Sequence, residues 1–193
     1  MLRSSSQFNQ FFMDYMHNND VFQKQSKMIQ KPHLNIAWKP PVHSYLKLNT
    51  DGSSKAKDKT SEGGVIRRTD GSWFMSFSIK FAAINPAAAE LATIEEGLSM
   101  AKDHNITRLE VETDTQALKI MMERANKYPH HQLNAIICDI VKLPKTNWVV
   151  IFLHAKRDAN IVAHKLARLG MDMEEEKITH TTPPQCIVED HMQ

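Results

Sequence analysis

A β-hairpin is the strongest structural signal in this 193-residue chain. Residues 63–69 (GGVIRRT) and 72–80 (SWFMSFSIK) both have strand character, and an Asp-Gly pair stands between them. Gly71 can adopt the positive φ that a tight hairpin turn requires. A further strand is predicted upstream over residues 45–51, with Gly52-Ser53-Ser54 ending it. The sequence therefore predicts three consecutive antiparallel strands.

Helices and single strands alternate after the hairpin. Asn85 and Pro86 are residue types that cap and begin a helix, which we expect to run to about Asn105. The strand over 107–113 stands between two helices, so it should pair in parallel through a right-handed crossover. The remaining predicted elements are helices over 114–126 and 130–143, a strand over 147–154, and a helix over 160–170 that Gly170 stops. The predicted fold is α/β, a mixed five-stranded sheet in the order β-β-β-α-β-α-α-β-α with helices on both faces.

Length and composition indicate one domain with appended segments. Hydrophobic residues make up 41% of the chain and charged residues 24%, which is the balance of a soluble globular protein. We predict an N-terminal extension over residues 1–39, a folded unit over 40–170 and a C-terminal tail over 171–193. Within the tail, residues 186–188 (CIV) are apolar enough to dock on the core.

The N-terminal extension contains one patterned stretch. Its aromatic and apolar residues recur at helical spacing, which predicts a short amphipathic helix; they are Phe8, Phe11, Phe12, Tyr15 and Met16. Two interpretations stay open: a loosely docked helix, or a contact surface for a partner protein.

Several classes of protein are disfavoured. Cys138 and Cys186 lack metal-ligand or redox spacing, so a reducing compartment is expected. No apolar run approaches the roughly 18 to 20 residues of a membrane span, and the N-terminus lacks the pattern of a secretory signal. We therefore expect a nuclear or cytoplasmic monomer without membrane association. The net charge of +2 is compatible with a polyanion partner but does not require one.

Three acidic residues stand where a strand ends or a helix begins: Asp51, Glu90 and Asp114. Carboxylates in such positions can converge at one edge of a sheet, and carboxylate oxygens are ligands that Mg²⁺ prefers. Each residue also has a structural interpretation. Asp51 can open a turn, Asp114 can cap a helix, and Glu90 lies on the edge of an apolar helical stripe, whereas Glu96 lies opposite that stripe and should be solvated.

Over residues 44–170 the chain resembles ribonuclease H. Asp51, Glu90 and Asp114 match the first three metal-binding carboxylates of that family, and HAKRDANIVAHKLAR matches its closing segment. The stretches WKPP, KLNTDGS, GGVIRR and AELATIEEGL resemble the plant reverse-transcriptase-like ribonuclease H domains of retroelement-derived proteins. The resemblance implies a divalent-metal-dependent endonuclease that uses two Mg²⁺ ions to hydrolyse the RNA strand of an RNA–DNA hybrid.

One position departs from the family pattern. His164 stands where a fourth carboxylate is expected, which removes a negative charge and an oxygen ligand and favours Mn²⁺ over Mg²⁺. His154 resembles the family's mobile histidine, which assists product release or proton transfer. Asn160 is expected to cap the last helix.

Five basic residues between positions 55 and 68 are the predicted phosphate contacts; they are Lys55, Lys57, Lys59, Arg67 and Arg68. We expect nucleic-acid binding through them to depend little on base sequence. Three functions stay open. The chain is a hybrid-cleaving enzyme, or a catalytically weakened or inactive nucleic-acid-binding module, or an interaction protein that uses its N-terminal aromatic segment.

Overall fold

A computed structural model describes residues 37–56, 59–80, 86–127, 133–142 and 147–188. The described strands are β1 (Leu46–Ala56), β2 (Lys59–Arg67), β3 (Trp73–Lys80), β4 (Arg108–Thr113), β5 (Val149–His154) and β6 (Lys177–His180). The described helices are α1 (Pro86–Asp103), α2 (Gln116–Glu123), α3 (Asn134–Lys142) and α4 (Ile161–Asp172). The predicted N-terminal helix, Asn85 and both ends of the helix predicted over 130–143 lie outside the described residues.

The sheet is mixed, as predicted, with the strand order β5-β4-β1-β2-β3-β6. Strands β1, β2 and β3 are antiparallel, whereas β4 pairs in parallel with β1 and β5 pairs in parallel with β4. The parallel pairs put the carboxyl ends of β1, β4 and β5 at the same edge of the sheet. In the described residues no helix combines the length and apolar character that a bilayer-spanning helix needs.

The described residues alone form six strands of the sheet, so the predicted number of five is wrong. Lys177–His180 pairs antiparallel with β3, where Ser76 lies opposite His180. This strand lies in the segment that we predicted as a tail, and its four residues are too short to show an alternating pattern. Of residues 186–188, Ile187 is fully buried on the core, whereas Cys186 and Val188 are exposed. The C-terminal segment thus contacts the domain through β6 and through Ile187.

Two further boundaries differ from the prediction. Strand β1 continues past Gly52 because its backbone keeps pairing with β2, with Ser54 opposite Thr60. Gly170 lies inside α4 and does not stop it. A Cβ built on Gly170 would lie 3.0 Å from Ser61 Cβ, so this glycine lets the helix approach β2 closely.

Helices cover both faces of the sheet, as predicted. On one face α1 packs over a large apolar core that includes Leu48, Ile66 and Phe77. On the other face α4 packs over a smaller cluster of Val65, Trp73, Val162, Leu166 and Ile187. The hydroxyls of Ser61 and Ser78 donate to the carbonyls of Ala167 and Leu166, which fixes α4 in its place over β2 and β3.

Residues 38–42 cover the part of this second face beside α4. Trp38 Nε1 donates to Asn49 Oδ1 at 2.9 Å, and the backbone N–H of Val42 donates to Glu110 Oε1 at 2.9 Å. Beneath this segment the buried Lys47 ammonium lies 3.2 Å from Glu110 and 2.5 Å from Glu112. Buried charges are tolerated when they are paired in this way.

Candidate active site

Asp51 and His164 are the first pair of the site. Asp51 lies within β1 opposite Gly63 and is only 6% exposed. Helix α4 brings His164 beside it, with Nδ1 2.7 Å from Asp51 Oδ2. The His164 side chain is 37% exposed, so the site reaches solvent through the imidazole.

Asp114 follows β4 directly and lies beside Asp51. The parallel register sets Asn49 opposite Glu112, and continuing it by two residues brings Asp51 level with Asp114. Burial, and then the negative charge of Asp51, raise the pKa of Asp114. Thr115, rather than Asp114, occupies the N-cap position of α2 and makes no side-chain capping bond. The capping interpretation of Asp114 is therefore wrong.

Glu90 connects α1 to the end of β4. One of its oxygens accepts a hydrogen bond from the hydroxyl of Thr113, and the other accepts one from Thr115 at 2.7 Å. Burial and the nearby charge of Asp114 raise its pKa. Asp51, Glu90 and Asp114 thus share one end of the sheet, where the charge of Asp51 disfavours ionisation of Asp114 and the charge of Asp114 disfavours ionisation of Glu90.

Glu62 is a buried carboxyl group that the sequence analysis missed. It is 3% exposed, and burial together with the charges of Asp51 and Glu90 raises its pKa to about 8. Thr93 Oγ1 lies 2.8 Å from Glu62 Oε2 and 2.9 Å from the Ala89 carbonyl oxygen. A hydroxyl has one proton, and a carbonyl can only accept. Both bonds form when Thr93 donates to Ala89 and a protonated Glu62 donates to Thr93.

A small pocket of about 180 Å³ adjoins Glu62 between α1 and the β6 edge of the sheet. Its lining includes Thr93, Glu96 and Lys177. Glu96 was predicted to be solvated, but its carboxylate forms an ion pair with Lys177 of β6. The strand that the sequence analysis missed is thus the reason why Glu96 has a partner.

The carboxylates do not form a ready set of metal ligands. Within the described ranges, no group of three or more Asp, Glu, His or Cys side chains is arranged to hold a metal ion. An oxygen of Asp51 is bonded to His164, and both oxygens of Glu90 accept hydrogen bonds from threonines. An ion shared by the three acids would have to replace some of these contacts.

The connection from β5 to α4 is fixed to the same end of the sheet. The backbone N–H of Ala155 donates to the Thr113 carbonyl at 3.0 Å, and the exposed His154 ring has Nε2 3.2 Å from the Asp114 carbonyl oxygen. Asn160 occupies the N-cap position of α4, as predicted, but its side chain makes no capping bond. Its Nδ2 donates instead to the Thr50 carbonyl at 2.7 Å.

The residues that were predicted to contact phosphate lie in different surroundings. Arg67 is 4% exposed, stacks 3.8 Å from the Trp38 ring centroid and donates to Asn49, so the prediction that it binds phosphate is wrong. Arg68 is exposed but lies near the hairpin turn, where it donates to the Trp73 carbonyl and packs on Phe74. The side chains of Lys55, Lys57 and Lys59 lie outside the described residues, and their role stays a prediction.

Comparison with known proteins identifies a relative by sequence. A protein of Arabidopsis thaliana named "Putative ribonuclease H protein" is 28% identical over 139 residues, which cover 72% of this chain and 22% of the relative. The chain thus spans about a fifth of the length of this relative.

Solved structures share the fold at low sequence identity. RNase H1 of the archaeon Halobacterium salinarum has a TM-score of 0.55 and 16% identity, covering 66% of this chain and 98% of its own. LC11-RNase H1, isolated from compost and solved in complex with an RNA/DNA hybrid, has a TM-score of 0.59 and 18% identity, covering 66% of this chain and 96% of its own. The family model described as "Reverse transcriptase-like" matches residues 49–170. The chain therefore belongs to the reverse transcriptase-like family and carries a ribonuclease H-like domain.

Proposed function

We propose that this protein binds RNA–DNA hybrids and hydrolyses the RNA strand with the help of divalent cations. The observation that carries the proposal is the position of Asp51, Glu90 and Asp114 at one end of the sheet. There burial and the charge of Asp51 raise the pKa of Asp114, and burial and the charge of Asp114 raise the pKa of Glu90. Buried carboxylates in such a cluster are stabilised by a cation between them. The ribonuclease H fold of the domain supports the same function.

The chemistry of the three carboxylates suits Mg²⁺ or Mn²⁺, although their present hydrogen bonds compete with metal binding. Asp51, Glu90 and Asp114 would hold the cation, which would supply a more acidic bound water for attack on phosphorus. His164 adds a nitrogen donor in the position of an oxygen ligand, so we expect Mn²⁺ to support activity better than Mg²⁺.

The remaining residues of the site would transfer protons or hold the other side chains in position. His154 is exposed beside Asp114, so its imidazole can exchange a proton with a leaving oxygen. Asn160 ties the start of α4 to the residue before Asp51, which keeps His164 and Asp51 in register. Glu62, when protonated, adds no further negative charge to the cluster.

The test is cleavage of a hybrid with a labelled RNA strand, measured in Mg²⁺, in Mn²⁺ and in EDTA. We expect metal-dependent cleavage that Asp51→Asn abolishes and that Arg124→Ala, at the far end of α2, leaves unchanged. Circular dichroism checks that both variants are folded. Cleavage that persists in Asp51→Asn would overturn the assignment of the site.

A second function, hybrid binding without cleavage, is favoured by one specific contact. The 2.7 Å bond between His164 and Asp51 occupies an oxygen that a cation would need. If the protein binds hybrid but cleaves it in neither metal, the domain is a nucleic-acid-binding module. If it binds no hybrid, both functions are wrong.

A further inference from the structure

We infer that Lys156 and Arg157 form a phosphate clamp that holds the nucleic-acid backbone beside the carboxylate cluster. The inference rests on the hybrid-binding part of the proposed function. It assigns the phosphate contacts to the connection between β5 and α4, which is distinct from the basic residues that the sequence pattern suggested.

The connection is fixed at both ends to the strands that carry the acids. At its start the Ala155 N–H donates to the Thr113 carbonyl, which directly precedes Asp114. At its end the Asn160 side chain donates to the Thr50 carbonyl, which directly precedes Asp51. The connection therefore bridges the ends of β1 and β4, and it has little freedom to move away from the site.

Three consecutive side chains between these two anchors are exposed: Lys156, Arg157 and Asp158. Lys156 and Arg157 contribute two positive charges, which Asp158 offsets in part. A short 3-10 turn over Arg157–Ala159 sets the backbone of this stretch, with the Asn160 N–H donating to the Arg157 carbonyl at 2.9 Å. The positive groups are thus presented to solvent from an ordered backbone next to Asp114.

Electrostatics explains why a clamp is needed here. A phosphodiester that approaches Asp51, Glu90 and Asp114 meets negative charge, so its binding requires positive charge nearby. The connection begins directly beside the site, because the ring of His154, the last residue of β5, has Nε2 3.2 Å from the Asp114 carbonyl oxygen. A guanidinium is also suited to phosphate, which it can contact through two parallel N–H groups.

The other described arginines near the predicted surface are poorly placed for this role. Arg67 is buried under Trp38, and Arg68 lies beyond it, away from Asp51. In the register of β1 and β2, Arg67 stands opposite Lys47, whereas Asp51 stands opposite Gly63. Four residues of an extended strand correspond to roughly 13 Å.

The experiment measures binding in EDTA, so that the result does not depend on cleavage. The full chain is titrated against a fluorescent RNA–DNA hybrid over a series of salt concentrations. Arg157→Ala is compared with the double variant Lys156→Ala/Arg157→Ala. Arg124→Ala is the control, because it removes the same charge from an exposed position at the C-terminal end of α2, whereas Asp114 lies at the N-terminal end of that helix. Thermal unfolding checks that each variant keeps wild-type stability.

We expect Arg157→Ala to weaken binding roughly tenfold at low salt and to reduce the slope of log affinity against log salt by about 1. The double variant should reduce the slope further, and Arg157→Lys should retain part of the affinity, because an ammonium replaces charge without the two-pronged contact. Arg124→Ala should bind like the wild type. If the wild type binds and the double variant has the same affinity and slope, the clamp is wrong while hybrid binding stands. If the wild type itself does not bind, the proposed function fails.

Discussion

His164 Nδ1 lies 2.7 Å from Asp51 Oδ2, so the imidazole and the carboxylate form a direct contact at the end of the sheet. The contact joins α4 to β1 across the site. The resemblance to ribonuclease H implies a carboxylate in the position of His164, and two carboxylates at this distance would repel each other unless a cation lay between them. With an imidazole in this position, the contact with Asp51 forms without that repulsion.

His164→Asp should make the stability of the domain depend on metal. Without a cation we expect the variant to be destabilised by about 1 to 2 kcal/mol, because the new carboxylate faces Asp51. Added Mg²⁺ should raise its melting temperature more than that of the wild type, and cleavage in Mg²⁺ should rise. His164→Asn is the control, since it removes the imidazole without adding charge. Equal responses of the three proteins to Mg²⁺ would contradict this view of position 164.

Asn160 should stabilise the domain through Thr50 rather than through capping. Asp is as good an N-cap residue as Asn, but it cannot donate to the Thr50 carbonyl. We therefore expect Asn160→Asp to lower the free energy of unfolding by about 1 to 3 kcal/mol, measured by urea denaturation. If capping were the main role of Asn160, the Asp variant would keep wild-type stability and only Asn160→Ala would lose it.

Most of the fold follows from local patterns in the sequence. The Asp-Gly pair predicts the turn between β2 and β3, and the strand pattern between two helical patterns predicts β4 as a parallel strand. The structure has these elements in the predicted order. Strand β6 could not be predicted in the same way. Lys177–His180 has only four residues, and it becomes a strand because the edge of β3 offers backbone partners. Such a strand depends on tertiary structure rather than on its own residues.

Sequence analysis found the site residues whose types match a family pattern. It misjudged residues whose role depends on burial in the folded domain. Glu62 precedes two glycines, a context typical of an exposed turn, but Thr93 on α1 and the close approach of Gly52 help to enclose it. Arg67 shows the converse error. Its parity along β2 matches that of the buried Val65, so strand alternation directs its side chain inward, beneath Trp38.

Ile187 should contribute to stability as a core residue. It is fully buried against Val65, Trp73, Val162 and Leu166, so Ile187→Ala should lower the free energy of unfolding by about 2 to 4 kcal/mol. Its neighbour Val188 is 37% exposed, and Val188→Ala should cost well under 1 kcal/mol. Chemical denaturation of the two variants measures the difference. Similar losses for both would mean that the C-terminal segment does not pack as a specific part of the core.

Glu62 should make the domain less stable as the pH rises. Its pKa is raised from the ordinary 4.5 to about 8 in the folded state by burial and by the charges of Asp51 and Glu90. Below pH 4.5 the carboxyl is protonated in both the folded and the unfolded chain, so it does not lower the free energy of unfolding there. Between pH 4.5 and 8 the unfolded chain is stabilised by ionisation of this carboxyl, whereas folded Glu62 stays protonated. The free energy of unfolding therefore falls over this range, by roughly 5 kcal/mol at most.

Glu62→Gln removes this loss and keeps a donor for Thr93, because the Gln amide donates a hydrogen bond as the protonated acid does. We expect the variant to match the wild type near pH 4.5 and to be increasingly more stable than it up to pH 8, with a constant difference above that. Urea denaturation over this pH range measures the difference, with Glu95→Gln on a half-exposed turn of α1 as the control for charge removal. The free energies of unfolding of Glu62→Gln and the wild type could instead differ by an amount that does not change with pH. Glu62 would then be ionised in the folded protein, and the proposed bond from its protonated carboxyl to Thr93 would be wrong.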